Sequence, residues 1–306
     1  MNDLFAQLKD SARSFVIDNL PYNRRNPALR TQLSHMSTHE LLVTWNNWEW
    51  RLIAKRPREV VVSPEFRSNR VLKERARDII SVVRDIELGN DLTKYLSRGV
   101  RHGYVDVSRK KTHQRRDLDL MLNDWGVHHL HISTVVQDDG FVERSDDIIF
   151  AIFRRDHVFL IDIMTHKDWA KEHIMRVIVR NWPEMDFVRK LKGVVGLSRS
   201  ISDEERLALR KVQANTPTEI DGKVYAASEG MVTSGHSLRQ SLRAHDMIES
   251  YQDFAKQYAY APDEIIDNVR KHGVVWPNAP IFRAELGPNA FGVVETKTQT
   301  FFNLER

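Results

Sequence analysis

The sequence predicts an α+β protein: a central antiparallel sheet with flanking helices, a helical N-terminal part and a smaller α+β unit at the C-terminus. Three observations carry that expectation. Apolar residues recur at helical spacing through much of residues 3–88. Between Val127 and Met164 the period becomes that of strands, with two almost wholly apolar runs either side of a short polar loop. Beyond Pro183 short helical and hairpin signals alternate, punctuated by Gly and Pro. The chain is therefore expected to divide into a helical region (1–97), a central α+β domain carrying the candidate site (98–200) and a C-terminal α+β unit (201–306).

Leu4, Phe5, Leu8, Ala12, Phe15 and Val16 predict a helix over 3–20, stopped near Pro21 and followed by a basic, irregular connector at 22–27. Ser37 and Glu40 form a capping-box pattern for a second helix, with Leu41, Trp45, Trp48 and Leu52 along one side. The tryptophan stripe reads as core; beside Arg51, Lys55, Arg56 and Arg58 its alternative is stacking on nucleic-acid bases. Val60–Val62 suits a short strand between prolines, and 71–88 a longer helix ended by Gly89-Asn90. Next comes the most basic stretch, Arg98 to Arg116, opposed only by Asp106. It is either a solvated loop or a phosphate-backbone contact, and for the second role Arg109, Lys110, Lys111, Arg115 and Arg116 are the candidates.

From Val127 strict alternation places Leu130, Ile132 and Val136 on one strand face and His129, His131 and Ser133 on the other. His128 falls on the apolar side and reads as a satisfied core residue. Ile148–Phe153 and Val158–Met164 flank Arg154–His157, as in a hairpin with a four-residue loop, and their continuous apolar character suits strands covered on both faces. Asp162 lies within the second run, so it requires a partner. Thr165 is the expected N-cap of a helix continuing through Trp169, Ile174 and Val177 to Trp182, with Asp168 in the capping-box place. At that helix start the macrodipole would disfavour imidazolium and hold His166 neutral.

A neutral His166 could act as general base, His129 or His131 as the complementary acid, and Arg144 could offset charge on a phosphorane. Those groups meet the needs of metal-free RNA cleavage: a base for the 2′-hydroxyl, an acid for the leaving oxygen and a cation on the phosphate. A metal alternative has His129 and His131 chelating one ion, completed by Asp162 or His166. The bland alternative makes the histidines structural and pairs Arg144 with Asp146 or Asp147. An arginine before an apolar strand, a tight polar loop, a second apolar strand and then a histidine, from Arg144 to His166, resembles the core hairpin of RelE-like and barnase-like endoribonuclease toxins. The resemblance covers residues 126–182. It implies a sheet whose His, Arg, Lys or Tyr groups cut RNA without a metal, though this chain is far longer than a typical RelE-like toxin.

The 306 residues carry a net charge of +4, which permits a polyanionic partner. No cysteine is present, which excludes a disulfide scaffold or zinc–thiolate site, and no segment has the length of apolar residues that spans a bilayer. A cytoplasmic protein without membrane contact is expected, with no cofactor, with RNA as partner and with an antitoxin or regulatory protein as a second one.

In the C-terminal part Ser202 and Glu205 cap a short helix, and 219–225 reads as a hairpin turned by Asp221-Gly222. Thr233–Ser237 precedes a helix running to Tyr258, either as caps or as an anion cradle. Pro262 opens another helix closed by Gly273, and 281–286 with 291–298 suits a final hairpin. Glu295-Thr-Lys297 resembles the Glu-x-Lys half of PD-(D/E)xK nucleases, with Glu285 as the further acid. The expected function is a metal-independent endoribonuclease serving as a toxin or phage-defence effector. Its rivals are a metal-dependent nuclease or phosphoesterase and a non-enzymatic nucleic-acid-binding regulator.

Overall fold

The computed structural model describes residues 2–106, 115–287 and 290–305. The protein is α+β, and it divides into two compact units, each discontinuous in sequence. One comprises residues 1–49, 103–105 and 240–306; the other comprises 50–102 and 106–239. The sequence reading had divided the chain consecutively, at 97/98 and 200/201.

The first unit draws its core from both ends of the chain. Leu8, Ala12 and Val16, at helical spacing on Asn2–Asn19, and Leu20 just after it are fully buried, as are Leu41 and Leu42 from helix Thr38–Arg51. They join Tyr251 and Phe254 of helix Leu238–Tyr260 and Phe282, Ala284, Leu286 and Val293 of an antiparallel sheet in one cluster. That sheet contains Phe282–Gly287, Ala290–Glu295 and Thr300–Asn303; the last strand was not anticipated. Nor was helix Pro27–His35, although Asn26 accepts a hydrogen bond from Ala28 N and Pro27 occupies the first turn. Trp45 packs edge-on to Phe15 with centroids 5.3 Å apart and lies 5.1 Å from Trp48, which makes this stripe core. The Ser37–Glu40 capping box is formed, with Glu40 Oε2 2.7 Å from Ser37 N.

The second unit is built on a mixed four-stranded sheet of β1 (Glu59–Val62), β2 (His128–His131), β3 (Asp147–Phe153) and β4 (His157–Thr165). Its order is β1-β4-β3-β2, antiparallel except that β1 lies parallel to β4 at one edge. Helix Ala76–Leu88 covers one face through Ile79, Val82 and Ile86, against Leu130, Ile149, Ala151, Leu160 and Ile163. Helix Glu172–Asn181 covers the other through Ile174, Val177 and Ile178, against Ile148, Phe150, Ile152 and Ile161. Burial on both faces explains why β3 and β4 are nearly all apolar. The pairing slips between Phe150 and Ala151, which are opposite Asp162 and Leu160; the extra residue is Ile161, a bulge on β4.

Local hydrogen bonding revises several expected boundaries. The helix expected over 71–88 is two, Arg70–Glu74 and Ala76–Leu88. They part at Arg75, whose guanidinium donates to Ile132 O and Asp78. The strand expected from Val127 to Val136 ends at His131; Val136 is exposed and forms an isolated bridge with Val142. The helix expected from Thr165 begins at Glu172. Asp168 Oδ2 instead accepts from Thr165 N and Oγ1, both at 2.8 Å, and closes a turn there. Farther on, Ser202 and Glu205 form their capping box, and Thr218–Ile220 and Lys223–Ala227 pair about Asp221-Gly222. Among the described residues no helix is long and apolar enough to cross a membrane.

Candidate active site

His129 and His131 lie on one face of β2, registered opposite Phe150 and Ile148 of β3, while His128 takes the opposite face against the Phe153 ring. Gly126 sets the entry to this strand. It caps helix Leu120–Trp125 at φ 71°, and a Cβ there would stand 2.8 Å from Glu229 Cγ. His166 follows β4 directly. The rings of His131 and His166 stack with centroids 4.9 Å apart; His129 is 6.0 Å from His131 and 6.4 Å from His166. Arg144 reaches the same group, its Nη1 2.7 Å from His131 Nε2. All four residues singled out as catalytic candidates therefore meet. Arg144 forms no ion pair with Asp146 or Asp147 among the described residues; Asp147 is 3.8 Å from Arg75.

Burial is the first influence on each ring. It pushes His131 down to about 3, with the Arg144 guanidinium and the neighbouring histidines adding to the effect. His129 is lowered by burial as well; Asp119 opposes this, while His166 and Arg144 reinforce it. His166, half-buried, is lowered by burial and by Arg144, against a backbone hydrogen bond and charge from Asp146. Its neutral form thus owes nothing to a helix dipole, because no helix starts at Thr165. Guanidinium can only donate, so His131 Nε2 is an acceptor and the ring proton sits on Nδ1. His131 is therefore unsuited to the acid role that the sequence reading offered it.

Asp119 was missed in the sequence. Its Oδ1 caps helix Leu120–Trp125 by accepting from Leu122 N at 3.1 Å, and its Oδ2 lies 3.4 Å from His129 Nδ1. That approach is close enough for charge to act, yet it is not aligned as a hydrogen bond. Trp169 was expected on a helix. It lies in the preceding turn, its ring 4.7 Å from His129 and 6.3 Å from His166.

A cavity of about 300 Å³ opens beside His129. Its charged and polar lining includes Arg51, Arg98, Arg116, Asp119, His128, His129 and Trp169; His131, His166 and Arg144 are not part of it. Arg98 pairs with Asp139 and with Gln137, each at 2.5 Å. The exposed Arg116 side chain has no carboxylate at ion-pair distance among the described residues. Arg115 is committed to Asp117 through contacts of 3.0 and 2.5 Å. Arg109, Lys110 and Lys111 lie outside the described residues.

The remaining sequence candidates have other duties. Asp162 accepts from Asn69 Nδ2 at 2.7 Å and meets His173 Nε2 at 2.8 Å, the partner its burial demanded. It is therefore engaged away from His129 and His131, and among the described residues no group of three or more His, Asp or Glu could hold a metal ion. Glu295 is fully buried and accepts from Ile281 N, Lys297 N, Thr298 N and Thr298 Oγ1, so its Glu-Thr-Lys sequence serves a turn. In the Thr233–Ser237 segment, Ser234 Oγ bonds His236 Nδ1 at 2.8 Å. Arg51 and Arg58 direct their guanidinium groups to backbone carbonyls. No known protein family, no curated protein and no solved structure matches this chain.

Proposed function

We propose that the protein is a metal-independent endoribonuclease whose general base is His129. The observation that carries this reading is the His129–Asp119 pair at the wall of a cavity that also presents Arg98 and Arg116. A carboxylate beside Nδ1 favours a proton on that nitrogen and leaves Nε2 as the basic atom, and it stabilises the imidazolium that forms as a proton is taken. Burial keeps the ring neutral beforehand.

His129 removes the proton from a ribose 2′-hydroxyl. The 2′-oxygen attacks the adjacent phosphorus, the bond to the 5′-oxygen breaks, and the proton passes from imidazolium to that departing oxygen. A 2′,3′-cyclic phosphate and a 5′-hydroxyl result. Arg116 and Arg98 offset charge on the phosphorane. Arg144 keeps the local potential positive, and the neutral rings of His131 and His166 pack beside that of His129. This assignment moves the base from His166 to His129, because the cavity touches His129 and not His166.

The test uses labelled single-stranded RNA and matched DNA, with and without EDTA, on the wild type, His129→Ala and Asp119→Asn. RNA cut to cyclic-phosphate ends in EDTA, with DNA intact and His129→Ala inactive, is the expected result. Loss of cleavage on chelation, or full activity in His129→Ala, would refute the proposal.

A further inference from the structure

Proton abstraction leaves one property of the cavity unused. Besides His129, three residues that line it each carry a buried nitrogen with no hydrogen-bond partner among the described residues: Arg51 Nε, His128 Nδ1 and Trp169 Nε1. Buried polar atoms of this kind are uncommon in folded proteins, and several around one cavity point to a ligand that completes them. Arg51 and His128 are only 4 % and 6 % exposed. The other Arg51 nitrogens are taken by the carbonyls of Gly99, Arg116 and His102.

The hydrogen-bonding sense of each atom is fixed. Indole and guanidinium nitrogens only donate. His128 Nε2 lies 3.3 Å from the Trp50 carbonyl, which only accepts, so Nε2 carries the proton and Nδ1 is an acceptor. Burial, which lowers His128 to about 4, maintains that neutral form. The lining residues thus carry two unpaired donors and one unpaired acceptor beside the apolar side chains of Leu96, Val100 and Leu118. A volume of about 300 Å³ is at the small end for ligand pockets and suits one flat ring system.

We infer that this cavity is a subsite for a single nucleobase of an RNA chain, its faces against Leu96, Val100 and Leu118 and its edge bonded by Arg51 Nε, Trp169 Nε1 and His128 Nδ1. Every nucleobase combines flat apolar faces with in-plane donors and acceptors, which ribose and phosphate alone do not. The identity of the ligand rests on the RNA reading above, whereas binding itself requires no cleavage.

Calorimetry on the full chain, with the four nucleoside 3′-monophosphates against ribose 5-phosphate and inorganic phosphate, tests the inference. At least one nucleotide should bind about tenfold or more tightly than ribose 5-phosphate, since a polar pocket rejects ligands that leave its groups unpaired. Trp169→Phe, which keeps a ring and removes the N–H, should weaken nucleotide binding roughly fivefold and leave phosphate binding unchanged. Should that variant lose its native circular dichroism, His128→Leu supplies the same readout. Equal affinity for ribose 5-phosphate, no nucleotide binding, or undiminished nucleotide affinity in a folded variant would overturn the subsite. A chain that binds nucleotides and cuts no RNA sinks the nuclease reading alone; one that cuts RNA and binds no mononucleotide sinks the subsite alone.

Discussion

Replacing Asp119 with Asn separates charge from architecture at the proposed base. Asparagine is as good an N-cap as aspartate, so helix Leu120–Trp125 keeps its acceptor for Leu122 N and global stability should hold. What is lost is one negative charge 3.4 Å from His129 Nδ1. At that separation the interaction with an imidazolium is about 1 kcal/mol in a water-like dielectric and about 5 kcal/mol at the effective dielectric of a protein surface. The His129 side chain is 4 % exposed and that of Asp119 17 %, which places the pair between those limits. The rate constant for cleavage should therefore fall roughly ten- to several-hundred-fold. Removing the anion also disfavours the charged ring, so the acidic limb of the pH–rate profile should move to lower pH. Single-turnover cleavage of a short labelled RNA across pH, with urea unfolding as the stability control, reads both effects. An unchanged plateau, or a limb displaced to higher pH, would show that Asp119 does not act through His129.

Other consequences reach beyond that pair. His131, pushed down to about 3, stays neutral throughout the working range, so His131→Asn should lower the rate without moving either limb; a displaced limb would reveal that His131 titrates. His173 is raised, first by its hydrogen bond to Asp162, so its contribution to stability is complete below the unfolded histidine value and lost as pH rises through the folded one. Urea midpoints of the wild type should accordingly fall more than those of His173→Gln from mildly acidic pH into the alkaline range, and parallel curves would contradict the assignment. Arg210 lies 2.8 Å from Asp124 in a fully buried pair and also donates to Trp169 O. Arg210→Ala strands the carboxylate and should cost about 3–5 kcal/mol in urea unfolding, whereas a loss under about 1 kcal/mol would mean the pair is dispensable.

The parts of this site legible in the sequence are those governed by local rules. The side-chain alternation of a strand puts His129 and His131 on one face, and two apolar runs about a polar loop define the hairpin that delivers His166. Asp162 could be assigned a partner because a lone carboxylate in a buried run is too costly to leave unpaired. Residues placed by contacts distant along the chain were harder to anticipate. Arg144 turns to His131 rather than to the aspartates next to it, and Asp119 faces His129 because it also caps a helix leading into the adjoining strand. The pattern of Asp119 before Leu-Met-Leu with Gly126 after Trp125 was a helix signal, but a cap does not announce which ring its second oxygen will meet. At Thr165 the local rule itself misled. Asp168 answers Thr165 as a capping box would, yet it closes a turn, and the helix waits until Glu172.

The first unit joins residues far apart in the sequence: Ser11 Oγ on helix Asn2–Asn19 accepts from Ala284 N of strand Phe282–Gly287 at 3.0 Å. During synthesis the opening helices must wait, with Leu8, Ala12 and Val16 unsheltered, until more than two hundred further residues have left the ribosome. Of the two units, the one begun first is thus finished second, and a chain stopped before Phe282 would leave Leu8, Ala12 and Val16 without these partners.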